Sequence, residues 1–206
     1  MLKVWGRANS TNVKKVLWCA DELGLAVERI DAGGEFGVVN EPNYRALNPN
    51  GLIPCLQDGD LVLWESNAIV RYLMAQYGDE PMALHDPARR AEADKWMDWA
   101  TSTLTAPFKD VFLNAVRLPP EQRDTDLRDR GIAECATLLA RVDAVLAGQP
   151  WLSGQTLGMG DMPLGCMAYA WFEMPIERPE LKHLERWYQH LTERAPFQRQ
   201  VMTPLT

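Results

Sequence analysis

The sequence predicts a chain in two parts: an α/β unit built on a mixed four-stranded sheet, then an all-α helical bundle. Three observations carry this. In residues 1–78, short apolar runs alternate with helical periodicity in the order strand–helix–strand, then strand–strand–helix. Residues 79–87, Asp-Glu-Pro-Met-Ala-Leu-His-Asp-Pro, interrupt both patterns with two prolines and read as a linker. Across residues 88–206 every periodic segment is helical.

The elements follow in order. Leu2 to Trp5 is a short apolar strand, and Gly6-Arg7-Ala8-Asn9-Ser10 is a turn. Val13, Val16, Leu17, Ala20 and Leu23 recur at helical spacing, with Gly24 placed as a stop. Val27 to Ile30 is the second strand, reached by a right-handed crossover and parallel to the first. Residues 32–50 are rich in Gly, Asn and Pro, show no period, and are predicted as one long irregular segment. Residues 53–56 and 61–64 flank Asp58-Gly59 as an antiparallel hairpin. Ala68, Ile69, Tyr72 and Leu73 then mark a helix ending near Gly78. In the second part, Trp96, Trp99, Ala100, Thr103 and Leu104 mark one long helix reaching Val116, stopped by Pro119-Pro120. Ile132, Ala136, Leu139, Val142 and Leu146 mark the next, ending near Gly148. Met162, Cys166, Tyr169 and Ala170 mark a third, and Leu181, Leu184, Trp187, Tyr188 and Leu191 a fourth. Pro196 opens a short final helix.

Composition narrows the function. Of 206 residues, 47% are hydrophobic and 24% charged, which is ordinary for a globular chain and excludes disorder and collagen-like repeats. No apolar run approaches the ~18–20 residues that span a bilayer, and no leader pattern is visible, so a cytoplasmic location is expected. The net charge is −7 and both halves are acidic, which argues against nucleic acid or an anionic membrane as partner. An anionic ligand would therefore need local donors. Cys19, Cys55, Cys135 and Cys166 form no Cys-x-x-Cys pair, and no His stands at metal-ligand spacing. No metal site is expected, and the thiols are expected reduced.

Three points of the α/β unit carry chemistry. Ile53-Pro54 opens a strand, where proline is tolerated. It reads either as a trans proline entering the sheet or as a cis bond that turns the Ile53 backbone outward to pair with an extended peptide. Glu65-Ser66-Asn67 opens a helix. It reads either as a cap with a stabilising acid or as a seat for an α-amino acid head group, its carboxylate on the free N–H groups and its ammonium on Glu65. Ser10 precedes the first helix beside Asn12, and reads as an N-cap or as a hydroxyl that stabilises a ligand thiolate.

Together and in this order, ahead of an all-helical part, these points resemble the glutathione transferase family over essentially the whole chain. The strongest stretch runs from Asn48-Pro49-Asn50-Gly51-Leu52-Ile53-Pro54-Cys55-Leu56 to Leu63-Trp64-Glu65-Ser66-Asn67-Ala68-Ile69. The resemblance implies a thioredoxin-like first domain and a homodimer whose contacts lie near residues 64–71 and on the first two long helices. It implies a cis Ile53-Pro54 bond, pairing of Ile53 with the cysteinyl of glutathione, and capture of its γ-glutamyl end by Glu65 and Ser66. Ser10-Thr11-Asn12-Val13-Lys14-Lys15-Val16 resembles the segment that carries the activating serine in theta- and delta-like members, so Ser10 falls on the thiolate-stabilising position. A tyrosine mechanism is excluded because the first tyrosine is Tyr44, and dithiol chemistry because the turn reads Ser10-x-x-Val13. Cys19 and Cys55 read as packing thiols.

The chain also departs from the pattern. Asn12 stands where those members often have proline, and Lys14 where they often have arginine. Gly51 stands where some have histidine, leaving Asn50 or Lys14 for the glycyl carboxylate. Asn67 replaces an arginine sometimes found beside the serine. Gly158-Met159-Gly160-Asp161 resembles the family's capping box with its Ser or Thr replaced by Gly158, and Leu157 with Met162 reads as a hydrophobic staple. The activity implied is conjugation of glutathione, as co-substrate, to small hydrophobic electrophiles. Arg7, Asn9, Trp99, Thr103 and Phe108 are expected around the electrophile. Peroxide reduction, dehalogenation, isomerisation, or a non-catalytic scaffold on the same fold are the alternatives.

Overall fold

The computed structural model describes residues 1–205. Strands β1 (Leu2–Trp5), β2 (Val27–Ile30), β3 (Cys55–Asp58) and β4 (Leu61–Trp64) form one sheet in the order β2-β1-β3-β4. β1 runs parallel to β2 and antiparallel to β3, and β3 pairs antiparallel with β4. The central register sets Val4 against Arg29 on one side and Leu56 on the other, and Val4 and Leu56 are fully buried. Helix α1 (Thr11–Glu22) supplies the crossover, and Gly24 follows it at φ +67, a left-handed stop that costs glycine nothing. Helix α3 (Ser66–Tyr77) closes the unit.

The 32–50 segment is not wholly irregular. It holds a 3₁₀ turn, Gly34–Phe36, and a helix α2, Pro42–Leu47. Six residues are too few to repeat an apolar period, so no signal betrays α2. It is held by tertiary anchors instead: Tyr44 is buried and its hydroxyl donates to the Leu52 carbonyl at 2.6 Å.

The second part contains α4 (Pro87–Trp99), α5 (Thr105–Phe112), α6 (Thr125–Leu146), α7 (Met162–Glu173), α8 (Lys182–Thr192) and α9 (Ala195–Gln200). Asp86 and Asp124 cap α4 and α6 by accepting from the N–H groups of Arg89 and Leu127, both at 2.8 Å. The predicted single helix through Val116 is instead broken in register: π turns at Ala100–Leu104 and Leu113–Arg117 flank α5. Pro107 accounts for the first. It has no N–H to give and its ring presses on the carbonyl one turn back, so the backbone opens just ahead of it. There the Thr105 N–H and hydroxyl both turn to the Ala100 carbonyl.

The two parts share one core. Helix α1 is buried from Val13 through Ala20 because it packs against α3 and also against α7 and α9. Trp18 meets Phe197 edge-on at 4.9 Å, and Arg194 and Arg199 on or beside α9 pair with Glu22 and Asp21 on α1. Before α7, the fully buried Asp161 accepts from the Gly158 N–H at 3.1 Å, half of the expected capping box. Glycine is required at 158 by space: a Cβ there would stand 2.9 Å from Ser153 and 3.1 Å from the Met82 carbonyl. Ser153 supplies the missing oxygen, accepting from the Gly160 N–H at 3.0 Å. Leu157 and Met162 are both buried beside it. Among the described residues, no helix is long and apolar enough to cross a membrane.

Candidate functional site

The N-terminus of α3 is open. Glu65 is its N-cap by position, but neither its side chain nor any other caps the helix, and the first N–H with a partner on the chain is that of Ile69, which donates to the Glu65 carbonyl at 3.0 Å. Among the described residues the N–H groups of residues 66–68 have no hydrogen-bond partner, as at any uncapped helix start. Glu65 sits at φ +72, a left-handed conformation that costs a non-glycine residue energy and tends to mark functional positions. Its carboxylate makes no ion pair among the described residues. Ser66 is buried, and its hydroxyl donates to Asn12 Oδ1 at 3.3 Å. The cap reading of Glu65-Ser66 therefore fails on geometry.

Sequence reasoning missed the residue behind this pair. Lys15, only 6% exposed, directs Nζ to Ser66 Oγ at 3.5 Å and has no carboxylate within ion-pair distance among the described residues. Burial pushes its ammonium pKa down. The Glu65 charge offsets this only from beyond ion-pair distance, so the buried cation is costly and an arriving carboxylate would relieve it. The one hint in the sequence is that Lys14 and Lys15 lie in the first two turns of a helix, against its dipole. Asn12, Lys15, Glu65, Ser66 and Asn67 all line a cavity of about 490 Å³. Asn67 donates through Nδ2 to the Met97 carbonyl and Thr101 Oγ1, at 2.8 and 3.0 Å.

A second cavity, about 230 Å³, lies between the sheet unit and α5 and shares Asn12 and Lys15 with the first. Arg7, Thr11, Lys109 and Arg117 give it polar walls, and Phe108, Phe112, Leu113 and Met167 apolar ones. Asn9 stands behind Arg7, accepting from its Nη1 at 2.6 Å. Ser10 itself lines neither cavity, although Arg7 and Thr11 near it in the chain line the second. It is the N-cap of α1 in backbone geometry, yet its hydroxyl makes no cap bond, so the simple capping role is not played. The Ile53-Pro54 bond is cis, and Ile53 lies ahead of the ladder that begins at Cys55, with no backbone hydrogen bond among the described residues.

Some expected residues are not brought in. Trp99 packs edge-on against Trp96 at 5.5 Å, and the Thr103 hydroxyl faces Ser102 at 3.4 Å; neither lines either of these two cavities. The π turn between Trp99 and Phe108 rotates the register, so only Phe108 reaches the second cavity. Asn50 lines neither cavity, and its Nδ2 donates to Asn48 Oδ1 at 3.0 Å. Lys14 turns away altogether, donating to the Val201 carbonyl at 2.9 Å under the Tyr169 ring. Cys19 and Cys55 are fully buried, with burial pushing the Cys55 thiol up to about 11, so both are packing thiols.

A four-stranded mixed sheet, a cis proline before its third strand and an open helix N-terminus after its fourth, backed by a helical domain, define a thioredoxin-like fold with a cleft at the domain boundary. Two family profiles match: "Glutathione S-transferase, N-terminal domain" over residues 1–75 and "Glutathione S-transferase, C-terminal domain" over residues 93–195. The chain is 48% identical to glutathione S-transferase GstB of Escherichia coli strain K12, over 100% of both chains. It is 56% identical, with a TM-score of 0.96, to the theta class glutathione S-transferase of Xanthomonas axonopodis pv. citri solved with glutathione bound, covering 100% of this chain and 99% of that one. Maize glutathione S-transferase 4 is more distant, at 27% identity over 94% of this chain and 88% of its own. This chain belongs to the glutathione S-transferase family.

Proposed function

We propose that the protein conjugates glutathione to small electrophiles at the boundary of its two domains. The observation that carries this is the buried Lys15 under Ser66, with no carboxylate within ion-pair distance among the described residues, beside Glu65 and the open end of α3. An α-amino acid head group fits that arrangement: its carboxylate takes Ser66, the free N–H groups and the Lys15 charge, and its ammonium takes Glu65. Ile53 pairs with the cysteinyl backbone, as an added strand does, and Asn12 flanks the tripeptide. The thiol then lies toward the N-terminus of α1, where the uncommitted Ser10 hydroxyl and the helix dipole favour the thiolate. The thiol proton passes to solvent, sulfur attacks the electrophilic carbon, the C–S bond forms, and the leaving group departs with its electron pair. Arg7, Asn9 and Phe108 belong to the electrophile's side.

The direct test is a glutathione titration read by thiolate absorbance against pH. A bound-thiol pKa clearly below the ~8.5 of a free thiol supports an activating site. Binding without a shift leaves a carrier, and no binding overturns the reading. Lys15→Met is expected to raise KM for glutathione about tenfold or more, with a smaller effect on kcat, since a charge-assisted contact to a non-reacting end is uniform binding. An unchanged KM would remove Lys15 from the site.

A cytoplasmic, detoxifying homodimer completes the proposal. Trp64 is 41% exposed, and Asn67 Oδ1 is a buried acceptor without a hydrogen-bond donor, both on the segment expected at the contact. Light scattering coupled to gel filtration is expected to give twice the 23.3 kDa chain mass. Trp64→Glu is expected to shift the species toward monomer, because it buries a charge at an interface core.

A further inference from the structure

We propose that Lys14 is a positioning residue for the reaction: it clasps the C-terminal end of the chain and so holds in place the first turn of α1, which carries Ser10. This rests on the transferase reading above. Helix α1 starts without help from its own side chains, since Ser10 makes no cap bond and the first turn holds no acidic residue. The backbone bond that closes that turn runs from the Lys14 N–H to the Ser10 carbonyl at 2.9 Å. What fixes the turn is therefore tertiary. On the sheet side the fully buried Val13 presses on Gly6, where a Cβ would stand 2.4 Å from Val13 Cγ2. On the helical side stands Lys14.

Lys14 is buried, and no carboxylate lies within ion-pair distance of it among the described residues. Its ammonium donates to the Val201 carbonyl at 2.9 Å, at the negative end of α9, and lies 5.0 Å from the centroid of the Tyr169 ring. Tyr169, on α7, closes the clasp: its hydroxyl donates to the Thr203 carbonyl at 2.8 Å. One side chain of α1 and one of α7 thus hold the same short segment, 201–203. Stability alone does not account for a lysine at this place. Burial pushes its ammonium pKa down, and a methionine would pack the same stem without that penalty. The Val201 carbonyl would still accept from the Thr203 N–H at 2.8 Å. What the ammonium adds is direction. With a fixed acceptor and a fixed ring, it sets where the first turn of α1 lies against α7 and α9. A hydroxyl that must meet a sulfur tolerates little displacement of that turn.

The experiment compares Lys14→Met, Lys14→Arg and Tyr169→Phe with the wild type. It reads the pKa of bound glutathione by thiolate absorbance, and kcat and KM with a reactive aryl chloride near pH 6.5. Lys14→Met is expected to raise the bound-thiol pKa by about 0.7 unit and so to lower kcat about fivefold, the matching loss of thiolate below the pKa. KM for glutathione is expected to stay within about twofold, because the γ-glutamyl end is held by other groups. Lys14→Arg keeps a cation and a donor, and is expected to return kcat to within about twofold of the wild type. Tyr169→Phe keeps the Lys14 charge and the ring but frees Thr203, and is expected to move the bound-thiol pKa the same way, about half as far. An unmoved pKa in Lys14→Met, whatever happens to Tm, makes Lys14 a packing residue and overturns the proposal. A shift there with none in Tyr169→Phe also overturns it, since the charge of Lys14 would then act without the clasp. If the wild type binds no glutathione, amide hydrogen exchange of the ligand-free protein decides separately. Exchange of the Lys14 N–H about fivefold faster in Tyr169→Phe, relative to the amides of α6, sustains the clasp while the transferase reading falls, and unchanged exchange overturns both.

Discussion

Ser10→Ala is expected to raise the pKa of bound glutathione by about one to two units and to lower kcat with a reactive aryl chloride about a hundredfold near pH 6.5, the usual scale for losing one donor to a developing or stabilised anion. The direction follows from position. The hydroxyl stands on the N-cap of a twelve-residue helix, at the positive end of its dipole, and the helix does not use it. KM for glutathione should move little, because the tripeptide is held elsewhere, at its γ-glutamyl end by Ser66 and Lys15 and at its cysteinyl backbone by Ile53. The pH profile carries the sign: rate rises with the thiolate fraction, so the loss is greatest well below the wild-type pKa and shrinks above the variant's. Stability offers a second readout. A capping serine replaced by alanine costs about 1 kcal/mol, whereas Ser10, which makes no cap bond, should cost less than about half of that. Thr11→Val is the comparison, since Thr11 lines the second cavity one residue on. If that variant, and not Ser10→Ala, restores an ordinary thiol pKa, the activating hydroxyl is Thr11.

The parts of this site that were legible in the sequence are those written in contiguous strings. Residues 48–56 and 63–69 carry the turn, the proline and the acid–serine pair next to one another, so the backbone alone brings Ile53, Glu65 and Ser66 to one end of the sheet. The strands were legible for the same reason, because a four-residue apolar run flanked by turn residues needs no partner to be recognised. Lys15 was hidden. It lies among the apolar residues of α1, and its burial depends on α7 and α9, which are packed from more than a hundred residues away. Trp99 and Thr103 misled because the 3.6-residue period assumes an unbroken helix, and the π turn ahead of Pro107 shifts the register by part of a turn. The cavity walls at Lys109, Leu113 and Arg117 become neighbours of Arg7 only through that same broken path, which no local pattern encodes.

The largest stability effect is expected at Asp161. It is fully buried and accepts four hydrogen bonds: from the N–H groups of Leu152, Ser153 and Gly158 at 2.8, 3.2 and 3.1 Å, and from Trp187 Nε1 at 2.9 Å. One carboxylate thus ties the loop before α7 to α8. The loop is pressed on α4, where a Cβ at Gly160 would stand 2.6 Å from the Ala93 carbonyl, so the tie also sets the helix that leads into the cavity wall. Asp161→Ala strands four buried donors at once. At about 1–3 kcal/mol for each unsatisfied group, partly relieved by entering water, the net loss is about 3–5 kcal/mol. For a chain of this size that lowers Tm by about 10 °C or more. Asp161→Asn is the sharper variant, because it keeps the shape. It retains one oxygen for two of the donors but turns an NH₂ toward the other two, setting donor against donor, and should still cost about 2 kcal/mol or more. Urea denaturation should show both as a lower midpoint at unchanged slope, which is lost stability within one cooperative unit spanning the shared core. A loss of unfolding free energy of less than about 1 kcal/mol in Asp161→Ala would mean that water replaces the carboxylate at the hub, and that the junction is held by the apolar contacts around Trp187 instead.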